Sequence, residues 1–194
     1  MNKLTRADLW SLEEYSTRRV AFRQRVIEHK KNRQLALSDH IRLYFEDRLT
    51  IQYQVQEMLR IERIFEAAEI QAELDAYNPL IPDGSNLKAT FMIEYEDENE
   101  RRQALARLIG IEHKVWAKVE GHEKVWTIAD EDMDRTRGEE KTSSVHFLRF
   151  EFTPAMIAGL KKGASLSFGC DHPQATLSTQ APDNVRISLI RDFT

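Results

Sequence analysis

Four glutamates, Glu62, Glu66, Glu69 and Glu73, recur at intervals of four, three and four, the spacing that puts carboxylates on one face of an α-helix. Such a row can ligate a metal ion or meet a basic partner. Its plainer account is a solvated face, or an ionic contact with Arg18, Arg23 and Arg25 of an earlier helix, and these seven residues define a candidate interface. A ferritin-type di-iron site would add Glu-x-x-His pairs, and no glutamate here has a histidine three residues on. Among the six histidines, His113, His122 and His146 fall in or beside neighbouring expected strands, where imidazoles can converge on zinc or iron. The spacing matches no known ligand signature, and a histidine on an apolar strand face ordinarily finds its partners within the core. If a metal ion binds, His113, His146 and His172 are the ligands to test; no other cofactor is expected.

Cys170, Asp171 and His172 end an expected strand just before Pro173. Residues two apart in an extended chain point the same way, so an imidazolium at His172 could favour the Cys170 thiolate, with Asp171 on the opposite face. No third orienting group can be named, and a packed cysteine beside a turn is the simpler reading. Asp130, Asp132 and Asp134 imitate the start of a calcium loop, but Arg135 stands where the sharp turn needs glycine and Lys141 where the bidentate glutamate belongs. A last polar set, Glu57, Arg60, Arg63, Asp171 and His172, flanks element ends near the two-proline loop at 77–84, where a rigid pocket could form. No Gly-rich phosphate loop, GxSxG elbow, HExxH or Walker motif occurs.

The chain that must position these groups has 194 residues, 41% hydrophobic and 31% charged, which excludes disordered and collagen-like classes. No apolar stretch reaches membrane-helix length and the amino terminus lacks a signal-peptide core, so the expected compartment is the cytoplasm. One cysteine cannot form an internal disulfide or a thiolate cage. The net charge of −4 conceals polarity: residues 1–33 carry 9 basic and 4 acidic side chains, whereas residues 57–100 carry 3 and 12. Attraction between these segments within one fold explains that split most simply. The overall negative charge, without a reader motif, argues against nucleic acid as a partner.

Thr5 and Asp8 resemble a capping box opening a long first helix, within 5–33, whose stripe Leu12, Tyr15, Phe22 and Val26 should meet the core. IRLYFE at 41–46 alternates, as does LTIQYQV at 49–55, and together they predict a hairpin turning at Glu46, Asp47 and Arg48. The rival is a helix starting near Asp47. Residues 56–77 read as one second helix, 87–95 as a strand, and 96–110 as a short helix closed by Gly110. KVWAKV and KVWTIA form a second hairpin, residues 130–144 an acidic surface loop, and 145–152 a strand. Thr153, Pro154 and Gly163 bracket a helix, 164–170 is a strand, and 182–193 is a closing helix or strand. The expectation is one α+β domain spanning 1–194: a largely antiparallel sheet of about seven strands with about five helices and a long amino-terminal helix.

QEMLRIERIFE at 56–66, YNPLIPDG at 77–84 and CDHP at 170–173, in this order, resemble the bacterial family of uncharacterised proteins catalogued as domain of unknown function 3501. The likeness runs from the first expected hairpin to the carboxyl end. The family brings no established activity. The resemblance implies a genomic setting near rubrerythrin-like proteins and iron–sulfur proteins of the heterodisulfide-reductase type. It therefore points to an accessory or interaction role in redox or oxidative-stress physiology, with such a redox protein as partner. The alternative is a metal-binding protein or small-molecule enzyme with its pocket near 77–84. Whether the chain is an enzyme at all stays open at this stage.

Overall fold

The computed structural model describes residues 2–129, 131 and 140–194. In chain order its elements are α1 (Leu12–Lys30), β1 (Gln34–Ala36), β2 (Ile41–Glu46), α2 (Arg48–Glu62), α3 (Ala67–Tyr77), β3 (Asn86–Ile93), α4 (Glu98–Arg107) and β4 (Val115–Val119). They continue with β5 (Lys124–Trp126), β6 (Ile128–Ala129), β7 (Val145–Glu151), α5 (Pro154–Lys161), β8 (Leu166–His172), β9 (Ala175–Gln180) and α6 (Asp183–Ile190). The strands form two sheets, ordered β1-β2-β3-β7-β6 and β5-β4-β8-β9. All their pairings are antiparallel, so the class is α+β as the hairpin pattern predicts.

Strict alternation gives each sheet one apolar face. In the first, Leu43 opposes Phe91, Phe91 opposes His146, and Leu87 opposes Phe150. In the second, Val115, Ala117 and Val119 oppose Cys170, Phe168 and Leu166. Phe168 reaches across to Phe45 and Phe150, with ring centroids 5.0 and 5.6 Å apart, so the two apolar faces share one core. The helical part has separate apolar clusters. Tyr15, Phe22 and Val26 of α1 pack with Trp10, Leu49 and Tyr53, while Ile51, Val55 and Leu59 of α2 pack with Leu74, Ile81 and Leu4.

The expected first hairpin is a strand followed by a helix. Asp47 caps α2 by accepting hydrogen bonds from the Leu49 and Thr50 amides, both at 3.0 Å, and the Asp47 amide donates to Thr50 Oγ1. The alternation at 49–55 arises because α2 is buried on two sides. Leu49 and Tyr53 face α1, while Ile51, Val55 and Leu59 face α3, and the two i,i+4 rows interleave into an apparent period of two. The second expected helix is likewise two. Arg63 adopts the left-handed conformation (φ 56°), Ile64 donates its amide to Leu59 O, and α3 begins only at Ala67.

The expected amino-terminal helix is shorter than 5–33. Thr5 and Asp8 do form the capping box, but it closes a single 3₁₀ turn, and α1 starts after Ser11, whose hydroxyl accepts from Glu14 N. The Gln56 side chain clamps both backbone groups of Trp10 and holds the chain out of helix there. The closing segment is a helix, α6, followed by a tail in which Thr194 N donates to Gly84 O and Phe193 packs edge-on against Phe152. Most of the acidic stretch 130–144, including Asp130, Asp132, Asp134 and Arg135, lies outside the described residues. Among the described residues no helix is long and apolar enough to cross a membrane.

Candidate functional site

The most developed constellation lies where α1 ends, α2 begins and the carboxyl-terminal tail returns. It surrounds a solvent-open cavity of about 350 Å³, within the range typical of small-molecule sites. Its buried centre is Arg33, three residues past α1, whose side chain is 1% exposed. Its Nε donates to Phe45 O at 3.1 Å and Nη2 to Glu46 O at 3.0 Å, so two carbonyls at the end of β2 hold the guanidinium in place. Nη1 and Nη2 then form a fork with Asp192 at 3.2 and 2.5 Å, and Nε also lies 3.3 Å from Asp47 Oδ2. The Arg33 donors are fully engaged, so it organises the site and has none left for a ligand.

The two carboxylates beside Arg33 differ. Asp192 is buried, and loss of hydration raises its carboxyl to about 6 against the pull of Arg33, with Asp47 adding repulsion. Burial acts on Asp47 too, but there the His29 hydrogen bond, the Arg33 charge and the Thr50 amide prevail and hold the carboxyl below its usual range. His29, half-buried near the end of α1, contacts Asp47 Oδ2 through Nε2 at 2.6 Å. An ionised carboxylate can only accept, so Nε2 carries the hydrogen and the neutral ring keeps its lone pair on Nδ1. No hydrogen bond engages Nδ1 among the described residues. The pair is an imidazole oriented by a carboxylate at the wall of a cavity.

The family model described as "Protein of unknown function (DUF3501)" matches residues 3–193. The chain belongs to this family. A crystal structure at 1.90 Å resolution of a protein of unknown function from Burkholderia pseudomallei K96243 is 54% identical, covers 100% of both chains and superposes with a TM-score of 0.94. No match is found among curated proteins. Family membership thus confirms the resemblance carried by 56–66, 77–84 and 170–173.

The residues singled out from the sequence are distributed differently. Glu57 and Arg60 lie on α2, where Glu57 accepts from Tyr15 Oη (2.6 Å), from Arg19 Nε and Nη2 (2.7 and 2.9 Å) and from Arg60 Nη2 (3.1 Å). The Arg19 fork leads in lowering its carboxyl to about 2. Arg63 sits at the α2–α3 break. Asp171 accepts from Trp116 Nε1 at 2.7 Å and from Lys124 at 2.6 Å on the second sheet. His172 Nε2 pairs with Ile109 O at 3.2 Å, while its Nδ1 accepts from Gln174 N. No hydrogen bond or ion pair joins the Glu57 group to Asp171 or His172, so these five form separate clusters.

Cys170 is buried in the shared core, and burial pushes its thiol up, the opposite of an activated nucleophile. His146 is also fully buried, 2.9 Å from Thr142 Oγ1 and 3.8 Å from Glu112, while His113 is exposed. Among the described residues no group of three His, Cys, Asp or Glu side chains is arranged to hold a metal ion. Among the described residues no ion pair links Arg18, Arg23 or Arg25 to Glu62, Glu66, Glu69 or Glu73; Arg18 pairs with Glu14 on its own helix, and Arg19 and Glu57 bridge α1 and α2. The break at 63–66 divides the glutamate row between two helices, where Glu73 is raised by burial and by Glu62. Of the observed site, the sequence places His29 and Arg33 in the basic segment 1–33, and Asp47 at an expected turn or, in the rival reading, near the start of a helix. The available signal was Asp47 as an N-cap; nothing local marked Asp192.

Proposed function

We propose that the chain binds a small molecule in the cavity beside Arg33 and moves a proton on it, with His29 as base and Asp47 as the residue that orients it. The observation that supports this most directly is the 2.6 Å His29–Asp47 contact, which leaves Nδ1 as the basic nitrogen beside a cavity of substrate size. Asp192 and Arg33 are positioning residues here: the fork fixes Arg33, and Arg33 fixes Asp47. This reading shifts the small-molecule alternative from the loop at 77–84 to the cavity at the start of α2, whose lining includes Asp47, Arg48 and Leu49. Nitrogen-resolved NMR of the histidine rings tests the reading. His29 should be the Nε2–H tautomer when neutral, and Asp47→Asn should mix the tautomers. A His29 found as Nδ1–H, or one whose tautomer is unchanged by Asp47→Asn, would remove the base.

A second reading, the accessory partner of a cytoplasmic redox system, draws support from α1. Arg23 and Arg25 make no ion pair among the described residues, and Val20, one turn before Arg23, is 80% exposed, so the flank of α1 that carries Val20 and Arg23 offers positive charge with apolar contact. A rubrerythrin-like or iron–sulfur protein with an acidic surface fits that face. Pull-down at low salt should recover it from wild type and lose it with Arg23→Glu/Arg25→Glu; equal recovery by both would end this reading.

A further inference from the structure

The hydrogen-bonding groups left over in the cavity specify what it can hold. Asp47 is occupied by the Leu49 and Thr50 amides, His29 and Arg33, and Asp192 is buried in its fork, so the carboxylates have little left to offer a ligand. Of three guanidinium groups in the lining, Arg33 is fully engaged and Arg48 is held by Asp8 at 2.5 Å and by Asn2 O at 3.2 Å. Arg191 is exposed at the cavity and makes no hydrogen bond or ion pair among the described residues. Asn32 accepts from Asn184 at 2.8 Å, which leaves its own NH₂ free. The Ser188 hydroxyl likewise makes no hydrogen bond among the described residues. The open groups are thus mainly donors, with one full positive charge among them, and an acceptor-rich, negatively charged molecule is their complement.

We infer that the cavity takes a small oxyanion, a carboxylate or phosphate group, anchored on Arg191 with Asn32 beside it, which places the rest of the molecule within reach of His29. This rests on the proposed acid–base reading for what happens after binding, and not for binding itself. Calorimetric titration with malonate and with inorganic phosphate separates the two headgroup chemistries. Arg191→Gln should weaken the preferred anion at least about tenfold, the loss of one charge-assisted fork. Arg48→Gln, whose partner is already Asp8, should change it less than about threefold. Circular dichroism and thermal melting confirm that the variants are folded. Absence of binding by both anions, or unchanged affinity in Arg191→Gln, overturns the inference. The histidine NMR result stands apart from either outcome, so failure of the anion site and failure of the base are told apart.

Discussion

Two carboxylates each sit in an arginine fork, and their protonation goes opposite ways. Glu57, in the groove between α1 and α2, is lowered to about 2, whereas Asp192, beneath the tail, is raised to about 6. A guanidinium alone therefore does not decide ionisation. Glu57 adds a phenol and a second arginine and keeps contact with water, so hydrogen bonds to the charged form, led by Arg19, outweigh the desolvation penalty. Asp192 has one arginine, is buried, and shares that arginine with Asp47. The first arrangement is a brace between helices. The second is a strained balance at a cavity, the kind of environment in which functional groups are tuned.

The largest test of this contrast removes the shared arginine. Arg33→Met leaves two buried carboxylates without their cation and should cost about 3–5 kcal/mol in urea denaturation. Arg33→Met combined with Asp192→Asn should recover part of the loss, because one orphaned charge goes with it. If the single variant loses less than about 1 kcal/mol, the fork is not holding the tail to β2.

Next is the pH dependence. The Asp192 carboxyl rises from 3.8 to about 6 on folding, so the folded state binds the proton more tightly. Its contribution to stability is complete below pH 3.8 and is lost as pH rises through about 6, a change of about 3 kcal/mol. Glu57, lowered from 4.5 to about 2, acts in reverse: its contribution is present above pH 4.5 and is lost as pH falls toward 2. Unfolding free energies from pH 4 to 7 should show Asp192→Asn gaining on wild type as pH rises, while Glu57→Gln changes relative to wild type only at the acidic end. Parallel curves for wild type and Asp192→Asn would show that Asp192 is ionised as easily as a surface aspartate.

The sequence conveys these two regions unequally. The α1 stripe lies on a regular helix, so local periodicity marked Tyr15, Phe22 and Val26 as buried, whereas Glu57 and Arg60 stood out for flanking element ends and were grouped with Asp171 and His172 instead of Tyr15 and Arg19. The strand–strand core was legible for the same reason: β2, β3 and β7 alternate cleanly. Local period failed where burial has two directions, as at Leu49–Val55, and where a non-glycine residue, Arg63, takes a left-handed turn. The cavity was hidden for a third reason. Arg33 and Asp192 are 159 positions apart, and His29 acquires meaning only once Asp47 is a helix cap instead of a turn residue. Long-range partners carry no local signature, and even a capping aspartate reads as a turn when the helix it starts resembles a strand.

The smallest effect asks whether the Glu57 brace depends on the number of its partners or on one of them. Glu57→Gln removes the charge that Arg19 and Tyr15 both address and should cost about 1–2 kcal/mol, less than a fully buried pair because the groove is partly hydrated. Arg60 is more exposed and lies on the same helix, so Arg60→Gln should cost below about 0.5 kcal/mol. The Glu57 carboxyl carbon should still titrate well below the ordinary glutamate range in Arg60→Gln, because the Arg19 fork and the Tyr15 hydroxyl remain. A return to that ordinary range would make Arg60 the decisive partner and reverse the comparison: ionisation at Glu57 would then depend on a solvent-facing charge, and its difference from Asp192 would reduce to exposure alone.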